Sequence, residues 1–592
     1  MRASHTLLSG LLTLLLLGAC GGAKTVTEKP QAPGEQERAA TGSEDGDKRA
    51  EVMRLFMDAT QARLGGQVAK AMELYLACLK LDPQNAAAMF ELAKLYHGSQ
   101  NFPAALDLAK RSVATDKENI WYRFLLADLY QQNSNMDEAA DVYRGIIAKW
   151  PDRYEVYVDL ANALAYGGKV SEALKVYGDL EKRFGLNDDL IMQEFGMLMG
   201  NERVDEAEQL ILRAIAAYPQ EPQYQGLLAE VYDHRGEQDK AREQYKKALE
   251  MDPSNSMLRI ALAEHYYTVG RMEEAYSELS EAFLDPELDI DAKMQVLIGF
   301  FEMTNSEGEK PGDRADLIRR SYDLIGSLEK AHPESGKPHT IHGDFLMRDG
   351  KFAEARDQFR TALKFENERF PIHLQLLQLD MQLGDHGSLH HDAEEAISMF
   401  PTMPEPYLYN GIALSQLKQY DPAIETLITG RDLVVDNPPM EVQFWSSLGD
   451  VYNEAENFSK SDQAYDKALA IDADNASVLN NYAYYLSVRN EQLEKAERMS
   501  KRSNELSPTQ MSYQDTYAWV LFRLGRYADA RVWIEKAVAA GGADGVILEH
   551  YGDILFELGD KENAMKNWRL AKEAGGASEV IDRKINEGLR VE

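Results

Sequence analysis

The chain has 592 residues, 44% hydrophobic and 27% charged, with 64 basic and 98 acidic side chains for a net charge of −34. A surface that acidic repels phosphate backbones, which argues against nucleic acid as a partner. Two cysteines rule out a disulfide scaffold and any multi-cysteine zinc or iron–sulfur site.

In chain order, the first feature is an apolar stretch of 11 residues, Leu7 to Leu17, preceded by Arg2. A membrane-spanning helix needs about 20 residues, so this length reads as a secretory signal. Leu17-Gly18-Ala19-Cys20 closes it and Gly21-Gly22 follows. These residues resemble the lipobox of bacterial lipoproteins. The resemblance implies a signal peptide over 1–20, lipidation at Cys20 and attachment to a membrane through that anchor. Position 21 is glycine and not the inner-membrane retention aspartate, so the same resemblance favours the periplasmic side of the outer membrane, with the cell surface as the other address. Residues 21–50 hold almost no large apolar side chain and read as a tether of roughly 30 Å reach.

From 51 to 576 one pattern recurs. Small residues sit 34 apart at Ala71, Ala105, Ala139, Ala173, Ala207, Ala241 and Ala275; the phase resumes at Ala355, Ala423, Ala496, Ala530 and Ala564, with Leu389 filling one slot. Pro83, Pro151, Pro219 and Pro253 lie at multiples of the same interval. The motif Trp445-x2-Leu448-Gly449-x2-Tyr452 and the set Leu228, Ala229, Tyr232, Ala241, Tyr245, Ala248 and Pro253 resemble the tetratricopeptide repeat. The resemblance implies an all-α fold, a TPR α-solenoid (a right-handed superhelix of helix-turn-helix repeats) of about 15 units. Residues 577–592 read as a capping helix and tail.

The interval fails between Ala275 and Ala355, where a polar segment over 304–314 reads as an inserted loop, either a tolerated surface insertion or a hinge. Smaller breaks lie at Asn437-Pro438-Pro439 and at 541–545.

No G-x-S-x-G, G-x4-G-K-[ST], H-E-x-x-H or G-x-G-x-x-G occurs, which points to a non-enzymatic chain with no cofactor and no metal. Cys78 falls in a small-residue packing slot. His386, His390 and His391 form the one histidine concentration, with His386 expected in a turn and out of register with His390.

In tetratricopeptide proteins, slots 2, 5, 9 and 12 of each first helix face a groove. Counting back from the alanine slot places Trp121 and Phe124, then Met257, Ile260 and Tyr267, then Trp519, Phe522 and Phe556 on that face. Asp128, Glu264, Asp515, Glu549 and Asp553 are expected as an acidic rim suited to an apolar or basic peptide. Asn162 and Val158 do not make the basic clamp that one subclass uses for terminal carboxylates. The expected function is a lipid-anchored scaffold for protein or peptide partners in envelope assembly or secretion. The rival readings are a SusD-like glycan-binding lipoprotein and, behind it, a metal-dependent enzyme.

Overall fold

The computed structural model describes residues 44–305 and 311–591. Among the described residues there are 31 helices and no strand, and the helices alternate as 15 antiparallel pairs followed by one short helix. Repeat 1 pairs Glu44–Leu64 with Val68–Leu81, repeat 2 pairs Ala86–Gly98 with Phe102–Thr115, and repeat 3 pairs Ile120–Gln132 with Met136–Lys149. The fold is all-α, a TPR α-solenoid. No helix of the described residues is long and apolar enough to cross a membrane.

The 34-residue interval has a steric cause. Every small-slot residue named above is buried, as are Leu389 and Cys78. At the alanine positions a larger side chain would have to fit between the two backbones of a pair, so small residues predominate and Leu389 is the exception. In repeat 12 (Pro438–Glu454 with Phe458–Ile471) Ser461 holds the slot, and its hydroxyl donates to the Gly449 carbonyl at 2.8 Å. The opposing small slot is as strict: a Cβ on Gly449 would lie 2.7 Å from the Tyr465 ring. Tyr75, Tyr177, Tyr224 and Tyr465 fill the spaces beside these contacts, fully buried, and each such side chain is worth about 1.5–3 kcal/mol.

A second periodic feature joins the two helices of a pair. The residue in the turn adopts a left-handed backbone at Gly66, Gln100, Ser134, Gly168, Glu202, Gly236 and Gly270, again 34 apart. A non-glycine residue costs roughly 1–2 kcal/mol in that conformation. Glu456→Gly (φ 57° in the wild type) is therefore expected to gain about 0.5–1 kcal/mol, and Gly236→Ala (φ 74°) to lose about 1 kcal/mol. Urea midpoints moving in opposite directions would check both.

The described residues, with the repeats expected as one array through 51–576, fall into two compact units that meet between Ala331 and His332. Unit 1 ends where the interval fails. Of the expected loop over 304–314, residues 304–305 and 311–314 are helical, since one helix runs Ile290–Asn305 and the next Pro311–Ala331, while residues 306–310 lie outside the described residues. The extra residues lengthen the helices to 16 and 21 residues, because proline at a first helical position sacrifices no hydrogen bond. The longer helix returns to repeat 7 (Ser256–Thr268 with Met272–Leu284), where Arg320 meets Glu273 at 2.5 Å and lies over the Tyr276 ring. At the other end, residues 44–50, expected in the tether, continue the first helix upstream. Lys48, Arg49 and Ala50 are good helix formers, and extending a formed helix requires no new nucleus. Cys20 and residues 1–43 lie outside the described residues.

Unit 2 closes with Ile581–Glu587, a seven-residue helix set against repeat 15 (Gly545–Glu557 with Lys561–Ala574). It is shorter than the segment 577–592 expected as a cap, because Gly588 takes a left-handed backbone and ends it.

Candidate functional site: an aromatic groove on repeats 1 to 3

The first helices of repeats 1–3 carry a row of apolar side chains at slots 2 and 5: Met53 and Phe56, Ala87 and Phe90, Trp121 and Phe124. Two adjoining concavities of about 520 and 390 Å³ lie over this row and share Phe56 and Ala87 as lining. Trp121 is 65% exposed and Met53 67%, both large apolar side chains left in water. Phe124 is half-buried, its ring centroid 5.9 Å from that of Trp121. Asn85 and Asn119 cap the helices below by accepting from the backbone N–H of Ala88 and Trp121, which fixes where Phe90 and Trp121 emerge.

The other expected groove residues are placed differently. In repeat 7 Met257 is half-buried and Ile260 buried. Tyr267 is half-buried, its hydroxyl 2.8 Å from the Met303 sulfur, so it stands within unit 1's packing.

In unit 2, Trp519 is half-buried and stacks on Phe522 at 4.7 Å and on His550 at 4.0 Å. Phe522 is only 4% exposed, with the Arg590 guanidinium over its ring, so it offers no surface to a partner. Phe556 is half-buried against Trp568, 5.6 Å between centroids. Trp568 is buried as its core slot requires, whereas Trp445 is only half-buried, with Lys467 and Arg431 over its ring.

The expected acidic rim in unit 2 is a buried ion cluster. Lys584 places its ammonium 2.7 Å from both Glu549 and Asp553, and all three side chains are at most 6% exposed. Asp515 pairs with His550 at 2.9 Å. Burial acts to raise the Glu549 carboxyl, but Lys584 and the hydrogen bonds from Ser578 outweigh it and hold the group below its usual range. Asp553 is raised, burial outweighing Lys584. The sequence suggests a rim because it does not reveal that a lysine 31 residues downstream of Asp553 fills the space.

Unit 1 has its own unusual acids. Glu194, Glu230 and Glu264 are each raised to about 7, in every case chiefly by burial, with Glu264 and Asp233 adding repulsion at Glu230. One oxygen of Glu194 and one of Glu230 have no hydrogen-bond partner among the described residues.

The histidine segment also differs from expectation. Asp385 caps a helix that starts at His386, so His386 and His390 do share a helical face. His391, Asp392 and Glu395 bring potential ligand atoms within 4.8 Å of one another. Asp392, however, is held by Arg360 at 2.8 Å, and His390 is 2.7 Å from the Asn410 side chain. Those contacts are structural.

The groove on repeats 1–3 therefore joins exposed aromatic surface to a concavity, at Trp121. Slot counting singles out Trp121 and Phe124; Met53, Phe56 and Phe90 occupy the same slots in the two preceding repeats, and the same count finds them.

Comparison with known proteins agrees with the helical pairs. Family models described as tetratricopeptide repeat match residues 61–120, 124–187, 198–256 and 235–287, and residues 398–574. A BBSome complex member BBS4 homolog from Drosophila melanogaster is 20% identical over 312 residues, which is 50% of this chain and 62% of that protein. The chain thus spans less than two thirds of that relative's length. Among solved structures, a tetratricopeptide repeat protein from Parabacteroides merdae is similar at 17% identity and a TM-score of 0.37, over 43% of this chain and all of that one. A Naa15/Naa10 complex bound to HypK-THB is similar at 12% identity and a TM-score of 0.37, over 92% of this chain and 95% of that chain.

Proposed function

The chain belongs to the tetratricopeptide-repeat family, and from that premise we propose that it is a non-enzymatic, lipid-anchored scaffold that captures a protein or peptide partner in the groove of repeats 1–3. The observation that carries the reading is the run of Met53, Phe56, Phe90 and Trp121 along consecutive first helices, with two concavities over it and Trp121 largely in water. Aromatic anchors in a concave, partly dry surface are where binding energy concentrates. The anchor is Cys20 by its lipobox-like setting, and the address is the periplasmic side of the outer membrane, in envelope assembly or secretion.

Trp121→Ala is expected to leave folding intact, since the side chain is mostly exposed, and to weaken partner capture by about 2 kcal/mol or more, roughly thirtyfold. Affinity purification from crosslinked envelopes measures this. Equal recovery of partner by wild type and variant would remove the groove from the function. Separately, Cys20→Ala is expected to move the protein from the membrane fraction to the soluble periplasm and to abolish incorporation of an alkynyl palmitate. Retention in the membrane fraction would refute the anchor.

A further inference from the structure

The larger concavity of the groove is lined by two basic side chains, Lys48 and Arg49, and one acidic one, Asp82, in a chain whose net charge is −34. Lys48 and Arg49 line the larger concavity beside Val52, Met53 and Phe56. Both are exposed, and neither forms an ion pair with a described residue.

Several of the neighbouring charges are paired, whereas Asp47 and Asp82 form no ion pair with a described residue. Arg54 is held by Glu51 and Asp58, and Glu91 by Arg63 and Lys94. Asp82 accepts from the Gln84 backbone and the Asn85 side chain. The groove also crosses the N-terminal ends of Ala86–Gly98 and Ile120–Gln132, whose first-turn N–H groups add positive potential. Two cations beside an aromatic floor thus stand without an ion-pair partner among the described residues, in a chain of net charge −34.

Resting on the reading of the groove as a partner site, we propose that its occupant is an acidic segment with an aromatic or branched aliphatic anchor. The anchor seats on Phe56, Phe90 and Trp121, and the carboxylates face Lys48 and Arg49. The acidic bulk of the chain does not forbid this. Charges beyond a Debye length, about 8 Å at physiological salt, are largely screened, so the local cations govern the bound segment. The bulk charge makes the proposal discriminating, because non-specific attraction to this protein favours basic peptides.

The test is selection of random 12-residue displayed peptides on the full-length protein, followed by fluorescence polarisation with the synthesised consensus peptide. The expected consensus has Asp or Glu flanking an aromatic or branched residue. The double variant K48E/R49E is expected to bind that peptide at least tenfold more weakly, and W121A to lose it; rising salt weakens the wild type. Circular dichroism should show both variants folded, since the three side chains are exposed. A basic or neutral consensus lost in W121A but indifferent to K48E/R49E would overturn the acidic assignment and leave the groove reading standing. Peptides indifferent to W121A would overturn both. A groove that selects nothing, while W121A changes self-association in sedimentation, would assign it to a second copy and overturn the proposal.

Discussion

Lys584→Ala is expected to destabilise the end of unit 2 by about 3–5 kcal/mol, the usual cost of stripping the partner from a buried ion pair. The ammonium lies 2.7 Å from Glu549 and 2.7 Å from Asp553, and removing it leaves two carboxylates buried. Those carboxylates hold more than the lysine. Glu549 accepts from the backbone and hydroxyl of Ser578, and Asp553 accepts from the Trp568 indole at 2.9 Å. The loss therefore spreads from the short helix Ile581–Glu587 to both helices of repeat 15. Hydrogen exchange over residues 545–591 should rise by two orders of magnitude or more. The triple variant Lys584→Met, Glu549→Gln, Asp553→Asn should recover a good part of the protection, because it removes the charges along with the pair. Unchanged exchange in Lys584→Ala would show that the cluster does not hold the end together.

Raising the pH from 5 to 8 is expected to weaken unit 1. Glu194, Glu230 and Glu264 have folded-state values raised from 4.5 to about 7, so between those values the folded chain keeps protons that the unfolded chain has released. The stability these groups contribute is complete below about pH 4.5 and is lost as the pH climbs through 7. Each contributes at most about 3 kcal/mol, and Glu230 and Glu264 together contribute less than twice that because they repel one another. Glu230→Gln and Glu264→Gln should flatten the decline while leaving stability at pH 5 nearly unchanged. Urea midpoints against pH, with hydrogen exchange to localise the change to 188–200 and 222–268, read this directly. A midpoint that rises with pH and is insensitive to both substitutions would contradict it.

The parts of the fold that the sequence announces are those under one-sided steric constraint. The alanine slots are readable because the crossing backbones favour small side chains there; Leu389 keeps the interval by position although it is larger, and Ser461 is small but falls late, after the break at 437–439. The turns are only half readable. Gly66 and Gly168 mark them, but Gln100, Ser134 and Glu202 take the same left-handed backbone without any compositional sign. Polarity misleads at 311–314, where a polar stretch beginning with proline opens a helix. Burial of acids is the other blind spot. Asp515, Glu549 and Asp553 look like a solvated rim until His550 and Lys584 are seen against them. Those pairings join residues about 30 apart, and no local pattern encodes them. Trp121 is legible and Phe522 is not for the same reason: only the structure shows that Arg590 covers one and nothing among the described residues covers the other.

The groove on repeats 1–3 is the centre of the proposed function, and site-specific photocrosslinking in living cells tests it most directly. A photoreactive phenylalanine analogue replaces Trp121 in one strain and Tyr166, which is 78% exposed at the end of the Tyr154–Tyr166 helix, in another. The expected result is one defined protein adduct from position 121, lost when Phe90 is also changed to alanine, and none from position 166. The same adducts from both positions, or no adduct from position 121, would contradict it.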